Sequence, residues 1–294
     1  MRSSGMWQFA DGAGWIWGQR TYLMGVLNVT PDSFSDGGRF TTIEAAIAQA
    51  QAMVRGGADV LDVGGESTRP QATAVSLPEE LSRVVPIIRA IRAGSDVCAP
   101  MTVPISVDTT KAAIARAAIE AGANLVNDIS GATVDPAMLS TVAELGVPIV
   151  LMHSRGTPKT MQQLTQYGDL MGDIYDFLAR RVDAAIASQI PQAQIAIDPG
   201  IGFAKTYTQS LEILRQLPRL KSLGCPILVG VSRKSFIGHL LSQPDPTQRV
   251  WGTAAACYAA IANGADLLRV HDVPEMYDVC RVADALVREG DRSL

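Results

Sequence analysis

Residues 21–40 read TYLMGVLNVTPDSFSDGGRF, and the reading of this stretch decides the fold. Positions 22–27 are an apolar run of strand length that stops at a polar side chain, Asn28. A loop follows that carries Asp32, Ser33, Ser35, Asp36 and a pair of glycines. A buried strand that stops at a polar residue and releases an acidic, glycine-rich loop is the usual edge of an active site in parallel α/β folds. The loop runs about a dozen residues, long for a strand-to-helix connection, and long loops tend to be functional.

Other strands should then stop the same way, and they do. Residues 59–63 (DVLDV) run into Gly64-Gly65-Glu66-Ser67-Thr68-Arg69-Pro70. Strands are predicted at 103–107, 124–126, 147–152, 195–197, 227–231 and 266–268. They stop at Asp108, Asn127-Asp128, His153, Asp198, Ser232 to Ser235, and Arg269-Val270-His271. Helix-forming sequence follows each. Thr41 and Glu44 make a capping box ahead of Ile43, Ile47, Ala50 and Val54 at helical spacing. Asp135-Pro136 is a cap followed by proline at the first helical position. Helices are also expected at about 173–189, at 211–223 with an end or kink at Pro218, at 250–262 and at 274–288. Gly57, Gly122 and Gly264 recur at helix-to-strand junctions, with Gly146 and Gly224 as variants, where a left-handed residue ends a helix. Eight strand–helix units predict an α/β fold, a single-domain (β/α)8 TIM barrel over 21–294, with residues 1–20 as an N-terminal extension or hairpin cap. A doubly wound sheet is the competing architecture.

With 294 residues, 47% apolar and 18% charged, the chain has material for a substantial core. A net charge of −4 argues against a nucleic-acid partner. No run approaches the uninterrupted apolar length of a membrane span, and the tryptophan-bearing first twenty residues do not resemble a signal peptide. Cys98, Cys225, Cys257 and Cys280 have no C-x-x-C spacing and read as reduced, mostly buried thiols of a cytoplasmic protein. The tryptophans, Trp251 included, and His239 read as structural rather than substrate-binding.

In a barrel the strand-end residues Asn28, Asp62, Asp108, Asn127, His153, Asp198, Lys234, Arg269 and His271 ring one mouth. Lys234, Arg269 and His271, with Arg69, suit a polyanion such as a diphosphate. Asp108, Asn127 and Asp198 suit a heterocycle edge carrying N–H donors, because a carboxylate accepts two parallel hydrogen bonds. The run from Gly200 to Thr206 lacks the spacing of a phosphate loop, and the histidines lack zinc spacing. The residues therefore favour a small heteroaromatic diphosphate.

These motifs carry a resemblance. Residues 27–38 (LNVTPDSFSDGG) and 62–70 (DVGGESTRP) resemble the two signatures of the dihydropteroate synthase family. Residues 106–109, 126–129, 198–203, 230–235 and 269–272 resemble its other motifs, in order. The resemblance implies condensation of 6-hydroxymethyl-7,8-dihydropterin diphosphate with p-aminobenzoate in folate synthesis, with sulfonamides competing for the p-aminobenzoate site. It implies that Asp108, Asn127, Met152, Asp198, Phe203, Lys234 and Arg269 hold the pterin. Phe34, Ser67, Thr68, Arg69, Pro70, Phe203 and Ser235 would line the p-aminobenzoate pocket. Asn28, Arg69, Arg269 and His271 would take the diphosphate, with Asn28 as protein ligand to Mg²⁺. Catalysis would rest on Asp36, Asp108, Lys234, Arg269 and His271, in an SN1-like transfer whose hard step is departure of diphosphate. The loops 28–40 and 64–76, rich in Gly and Ser, are expected to become ordered on ligands. A homodimer is implied by the resemblance and by the apolar faces of the last two helices. Two rivals stay open: the pterin-binding barrel of a corrinoid-dependent methyltransferase and a non-catalytic pterin-binding paralogue.

Overall fold

A short antiparallel hairpin, β1 (Met6–Gln8) and β2 (Gly14–Ile16), precedes eight parallel strands. These are β3 (Tyr22–Asn28), β4 (Val60–Gly64), β5 (Ile105–Asp108), β6 (Leu125–Asp128), β7 (Ile149–Met152), β8 (Ile195–Asp198), β9 (Leu228–Val229) and β10 (Leu267–Val270). The structure is a computed structural model and describes residues 5–9, 14–29, 42–67, 72, 74–94 and 99–288. Each of β3 to β8 pairs in parallel with the next, and β10 pairs with both β3 and β9. A parallel bridge from Ile197 to Ile227 joins β8 to the start of β9 and closes the ring. A doubly wound sheet would leave two edges; here the first and last barrel strands are neighbours. The fold is a single-domain (β/α)8 barrel.

Around it lie α1 (Thr42–Arg55), α2 (Leu77–Ala93), α3 (Ala112–Glu120), α4 (Met138–Leu145), α5 (Leu170–Ala187), α6 (Tyr207–Gln216), α7 (Ser235–Leu240), α8 (Val250–Ala262) and α9 (Val273–Val287). The strands alternate between two apolar cores with the period of two expected of a pleat. Leu61, Val63, Ile105, Val107, Val126, Ile149, Leu151, Ile195, Ile197 and Leu268 face the helices. Tyr22, Met24, Val60, Leu125, Val150, Ala196, Leu228 and Leu267 fill the lower interior. Two residues further along, the same inner face turns polar: Val60 gives way to Asp62, Leu125 to Asn127, Ala196 to Asp198 and Leu267 to Arg269. That change from apolar to polar within one face divides the floor of the barrel from its mouth.

The floor is closed by the hairpin. Trp7, Phe9, Trp15 and Trp17 are all buried and belong to the interior core. Trp15 stacks on Tyr22 with ring centroids 4.7 Å apart, and Trp17 meets the same ring edge-on at 5.4 Å. The hairpin also donates Ile16 N to the Tyr22 hydroxyl at 2.9 Å.

Several boundaries differ from the sequence expectation, each for a local reason. The helix expected at 173–189 begins at Leu170, because Asp169 caps it by accepting from Gly172 N. The helix expected at 211–223 begins at Tyr207 under a capping box of Thr206 and Gln209. Pro218 does end its α-helical part, and 217–223 continues as a 3-10 turn. Asp135 caps the turn that leads into α4, its Oδ1 accepting from Ala137 N at 2.9 Å, and its Oδ2 also accepts from Ala112 N at 2.8 Å at the start of α3. The Gly57 junction has φ 99°, and a Cβ there would lie 2.3 Å from the Tyr277 ring, so both conformation and space require glycine. Trp7, Trp15 and Trp17 are structural, but Trp251 on α8 is 81% exposed and packs in no core among the described residues. Cys225, Cys257 and Cys280 are buried free thiols, whereas Cys98 lies outside the described residues.

Candidate active site

The mouth is organised by one guanidinium. Arg269 at the end of β10 donates from Nε to Asp62 Oδ2 at 2.6 Å and from Nη2 to Asp108 Oδ2 at 2.8 Å. Asn127 Nδ2 donates to the same Asp62 oxygen at 3.3 Å. Asp62 is fully buried, Asp108, Asn127 and Asp198 nearly so, and Met152 lies between the last two in strand order. Asp62 Oδ1 and Ser106 Oγ are buried and, among the described residues, have no partner. Asp198 is turned into the mouth by its own backbone turn, Oδ1 accepting from Gly200 N at 2.7 Å.

Burial sets the protonation balance. It pushes Asp108 up to about 7, with Arg269 opposing and Asp62 adding to the rise. It pushes Asp198 up to about 6, opposed by the Gly200 amide and by Lys234. It brings Lys234 down to about 8, with Asp198 opposing. His271 is driven down to about 3 by burial and then by Arg269 and Arg233. The expectation of three cations facing a polyanion is corrected here. Arg269 is already balanced by two carboxylates, and His271 is a neutral ring bonded through Nδ1 to Ser232 Oγ at 3.1 Å. Among the described residues Lys234 is a cation that stands in the mouth beside Asp198, its Nζ 4.6 Å over the Phe203 ring.

Two turns complete the described rim. The one after β8 carries Phe203, half-buried. The one after β9 carries Ser232, Lys234 and exposed Ser235. There Arg233 adopts φ 59° and pairs with Asp272 through Nε at 3.0 Å. Asn28 ends β3 half-buried, and Ser67 follows β4. Phe34, Asp36, Thr68, Arg69 and Pro70, and the ordering expected of their loops, lie outside the described residues. The structure thus brings together Asn28, Asp108, Asn127, Met152, Asp198, Phe203, Lys234, Ser235, Arg269 and His271 around one mouth.

Four side chains that build this site were given no specific contact by the sequence, although Asp62 was placed at the mouth. Asp62 anchors Arg269. Glu80, 1% exposed, holds Lys111 Nζ, which also binds Glu66 Oε2 at 2.6 Å where the second loop leaves β4. Arg249, buried at the start of α8, donates to the carbonyls of Arg233 and Gln243, each at 2.9 Å, and braces the Lys234 turn. Lys205 is buried behind Phe203. Only Asp62 carried a signal, as a carboxylate inside an apolar strand; the others depend on pairings between distant segments.

Among the described residues no cluster of three His, Cys, Asp or Glu side chains forms a metal cage. Mg²⁺ is commonly held by one or two protein oxygens together with substrate phosphates. The amide oxygen of Asn28 at the mouth is a donor of that kind.

The sequence profile of the family described as pterin-binding enzyme matches residues 24–271. The dihydropteroate synthase of Synechocystis is 58% identical over 272 residues, covering 92% of each chain. The solved Xanthomonas albilineans dihydropteroate synthase with 4-aminobenzoic acid superposes with a TM-score of 0.88 at 44% identity, covering 96% of this chain and 98% of that one. The same enzyme in complex with 7,8-dihydropteroate gives 0.85 at 41% identity, again over 96% and 98%. With the family motifs lying at the mouth of a closed barrel and the likeness running nearly end to end, this chain belongs to the pterin-binding enzymes, in the dihydropteroate synthase family.

Proposed function

We propose that this chain condenses 6-hydroxymethyl-7,8-dihydropterin diphosphate with p-aminobenzoate, giving 7,8-dihydropteroate and diphosphate. The observation that carries the reading is the set of buried polar strand ends, Asp108, Asn127 and Asp198, with Lys234 beside them. A flat ring with amidine-like N–H groups on one edge and a carbonyl on the other matches a carboxylate facing an ammonium. Asp198 accepts from the ring N–H groups, Asn127 meets a further ring nitrogen, and Lys234 donates to the carbonyl. Arg269, held by Asp62 and Asp108, covers the ring, and Met152 lies beneath it.

The bond from the pterin methylene to oxygen breaks with its electron pair leaving on diphosphate. The cation left behind is delocalised into the ring, close to Asp108. The neutral arylamine nitrogen then attacks that methylene, and its proton passes to solvent or diphosphate. His271 serves the leaving group as an N–H donor from the ring nitrogen not bonded to Ser232. Asn28 would hold Mg²⁺, which when bound supplies positive charge to the departing diphosphate. Ser67, Phe203 and Ser235, with Phe34, Thr68, Arg69 and Pro70, line the arylamine side, and Asp36 closes over the cation.

The protein works as a cytosolic homodimer in this reading. Among the described residues no helix is long and apolar enough to cross a membrane. Trp251 and Tyr258 of α8, with Val282 and Leu286 of α9, give two adjacent helices an exposed apolar face suited to a second copy. Diphosphate release that requires p-aminobenzoate, measured on the purified chain, tests the function; release without the arylamine, or none at all, overturns it.

A further inference from the structure

The turn after β8 is held at several points. Its backbone takes positive φ at Gly200 (69°), Gly202 (83°) and Ala204 (52°), a conformation that is unfavourable for a residue with a Cβ. Three successive carbonyls are each taken by a different side chain. Gly202 O accepts from Gln162 Nε2 at 3.2 Å, Phe203 O from Lys205 Nζ at 2.9 Å, and Ala204 O from the Tyr167 hydroxyl at 3.0 Å. A Cβ on Gly200 would stand 2.0 Å from the His153 carbonyl oxygen, so the turn also lies hard against the end of β7.

Lys205 is the unusual member. It is 3% exposed, and its Nζ lies 2.9 Å from Nδ1 of His153, itself 2% exposed. Among the described residues it forms no ion pair, so a buried amine is satisfied by one carbonyl and one imidazole. Burying an amine in this way is unfavourable, and a methionine would fill the volume without that cost. The side chain that the turn presents is Phe203, against Lys234.

We propose that Lys205 is a positioning residue: by bridging His153 Nδ1 and the Phe203 carbonyl, it fixes the turn that sets the Phe203 ring beside Lys234 and so shapes the arylamine side of the site. This rests on the reading of the mouth as a synthase site. Burial pushes His153 down to about 2, so its neutral ring accepts and Lys205 donates. Burial likewise lowers Lys205 to about 7. The charged groups facing it are Asp198 from β8, which opposes the fall, and Arg155 from the loop after β7 and Lys234 from the start of α7, which add to it. Lys205 in turn is one of the charges that hold Asp198 down.

Steady-state kinetics of Lys205→Met, His153→Leu and His153→Asn test the proposal. Lys205→Met is expected to raise KM for p-aminobenzoate about tenfold or more while kcat stays within about threefold, as for a displaced wall of the site. The acid limb of its pH profile for the pterin substrate should move to higher pH, because Asp198 loses a cationic neighbour. In KM, His153→Leu should follow Lys205→Met, and His153→Asn, which returns an acceptor near the position of Nδ1, should bring KM most of the way back to the wild-type value. Unchanged KM and profile in folded Lys205→Met, or equal losses in kcat and kcat/KM with no pH shift, would overturn the proposal. Amide exchange at residues 203–206, read with no substrate present, should be faster in Lys205→Met. Unchanged exchange there refutes the positioning role even if the wild-type chain released no diphosphate, an outcome that would refute the function instead.

Discussion

Arg269 Nε lies 2.6 Å from Oδ2 of Asp62, and the two residues stand on β10 and β4, with β3 between them in the ring. The guanidinium therefore reaches over a neighbouring strand, and its other end meets Asp108 on β5. One side chain of β10 ties β4 and β5 together at the mouth, reaching across β3.

Arg269→Met should consequently cost stability as well as activity. It leaves buried carboxylates uncompensated, a loss of about 3–5 kcal/mol for breaking a buried pair. Asp108, already raised to about 7, would rise further. A folded state that binds protons more tightly than the unfolded one gains stability as pH falls. The stability that the variant loses relative to the wild type, read by urea unfolding, should thus be smaller at pH 5.5 than at pH 8; a larger loss at pH 5.5 would remove the carboxylates from this role.

Pterin diphosphate affinity should peak between about pH 6 and pH 8. Asp198 is raised to about 6, so the carboxylate that accepts ring N–H groups is lost by protonation below that value. Lys234 is lowered to about 8, so its charge is lost above that value. Calorimetric titration from pH 5 to 9 reads both limbs. Asp198→Ala should weaken binding by about 2–4 kcal/mol, or roughly 30- to 1,000-fold, and unchanged affinity would exclude Asp198 from the site.

Trp251→Arg should abolish self-association while leaving the barrel folded. The indole is 81% exposed in the single chain, so its removal opens no cavity there. Light scattering at micromolar concentration should give twice the chain mass for the wild type and the chain mass for the variant. A monomeric wild type would sink the dimer.

Trp15→Ala should destabilise the protein by about 3–5 kcal/mol, the range for truncating a buried aromatic side chain. Trp15 is 6% exposed and stacked on Tyr22, at the end of the barrel away from the mouth. Chemical denaturation should show the loss, and kcat in native buffer should stay close to that of the wild type.

Much of this was legible in residue order. The eight-unit barrel follows from apolar runs of strand length, each stopped by a polar residue and five of them reached through a glycine at a helix-to-strand junction. Those signals are local: a pleat has period two, and a left-handed cap needs glycine. The mouth residues Asp108, Asn127, Asp198 and Lys234 were legible for the same reason, since a polar side chain at a strand end is conspicuous beside a buried run.

The tertiary structure alone decided which charges are free. Arg269 and His271 look like cations in the sequence, yet 207 residues separate Arg269 from Asp62, which helps to balance it, and no spacing rule connects them. The sequence likewise could not show that Trp7, Trp15 and Trp17 plug the floor while Trp251 faces solvent, because each is an aromatic residue among apolar neighbours. Lys205 lay in a glycine-rich run with the wrong spacing for a phosphate loop, and only its contact with His153, 52 residues away, gives it a role. Hydrophobic period and backbone preference are encoded over a few residues, whereas burial and ionisation depend on what distant segments bring into contact.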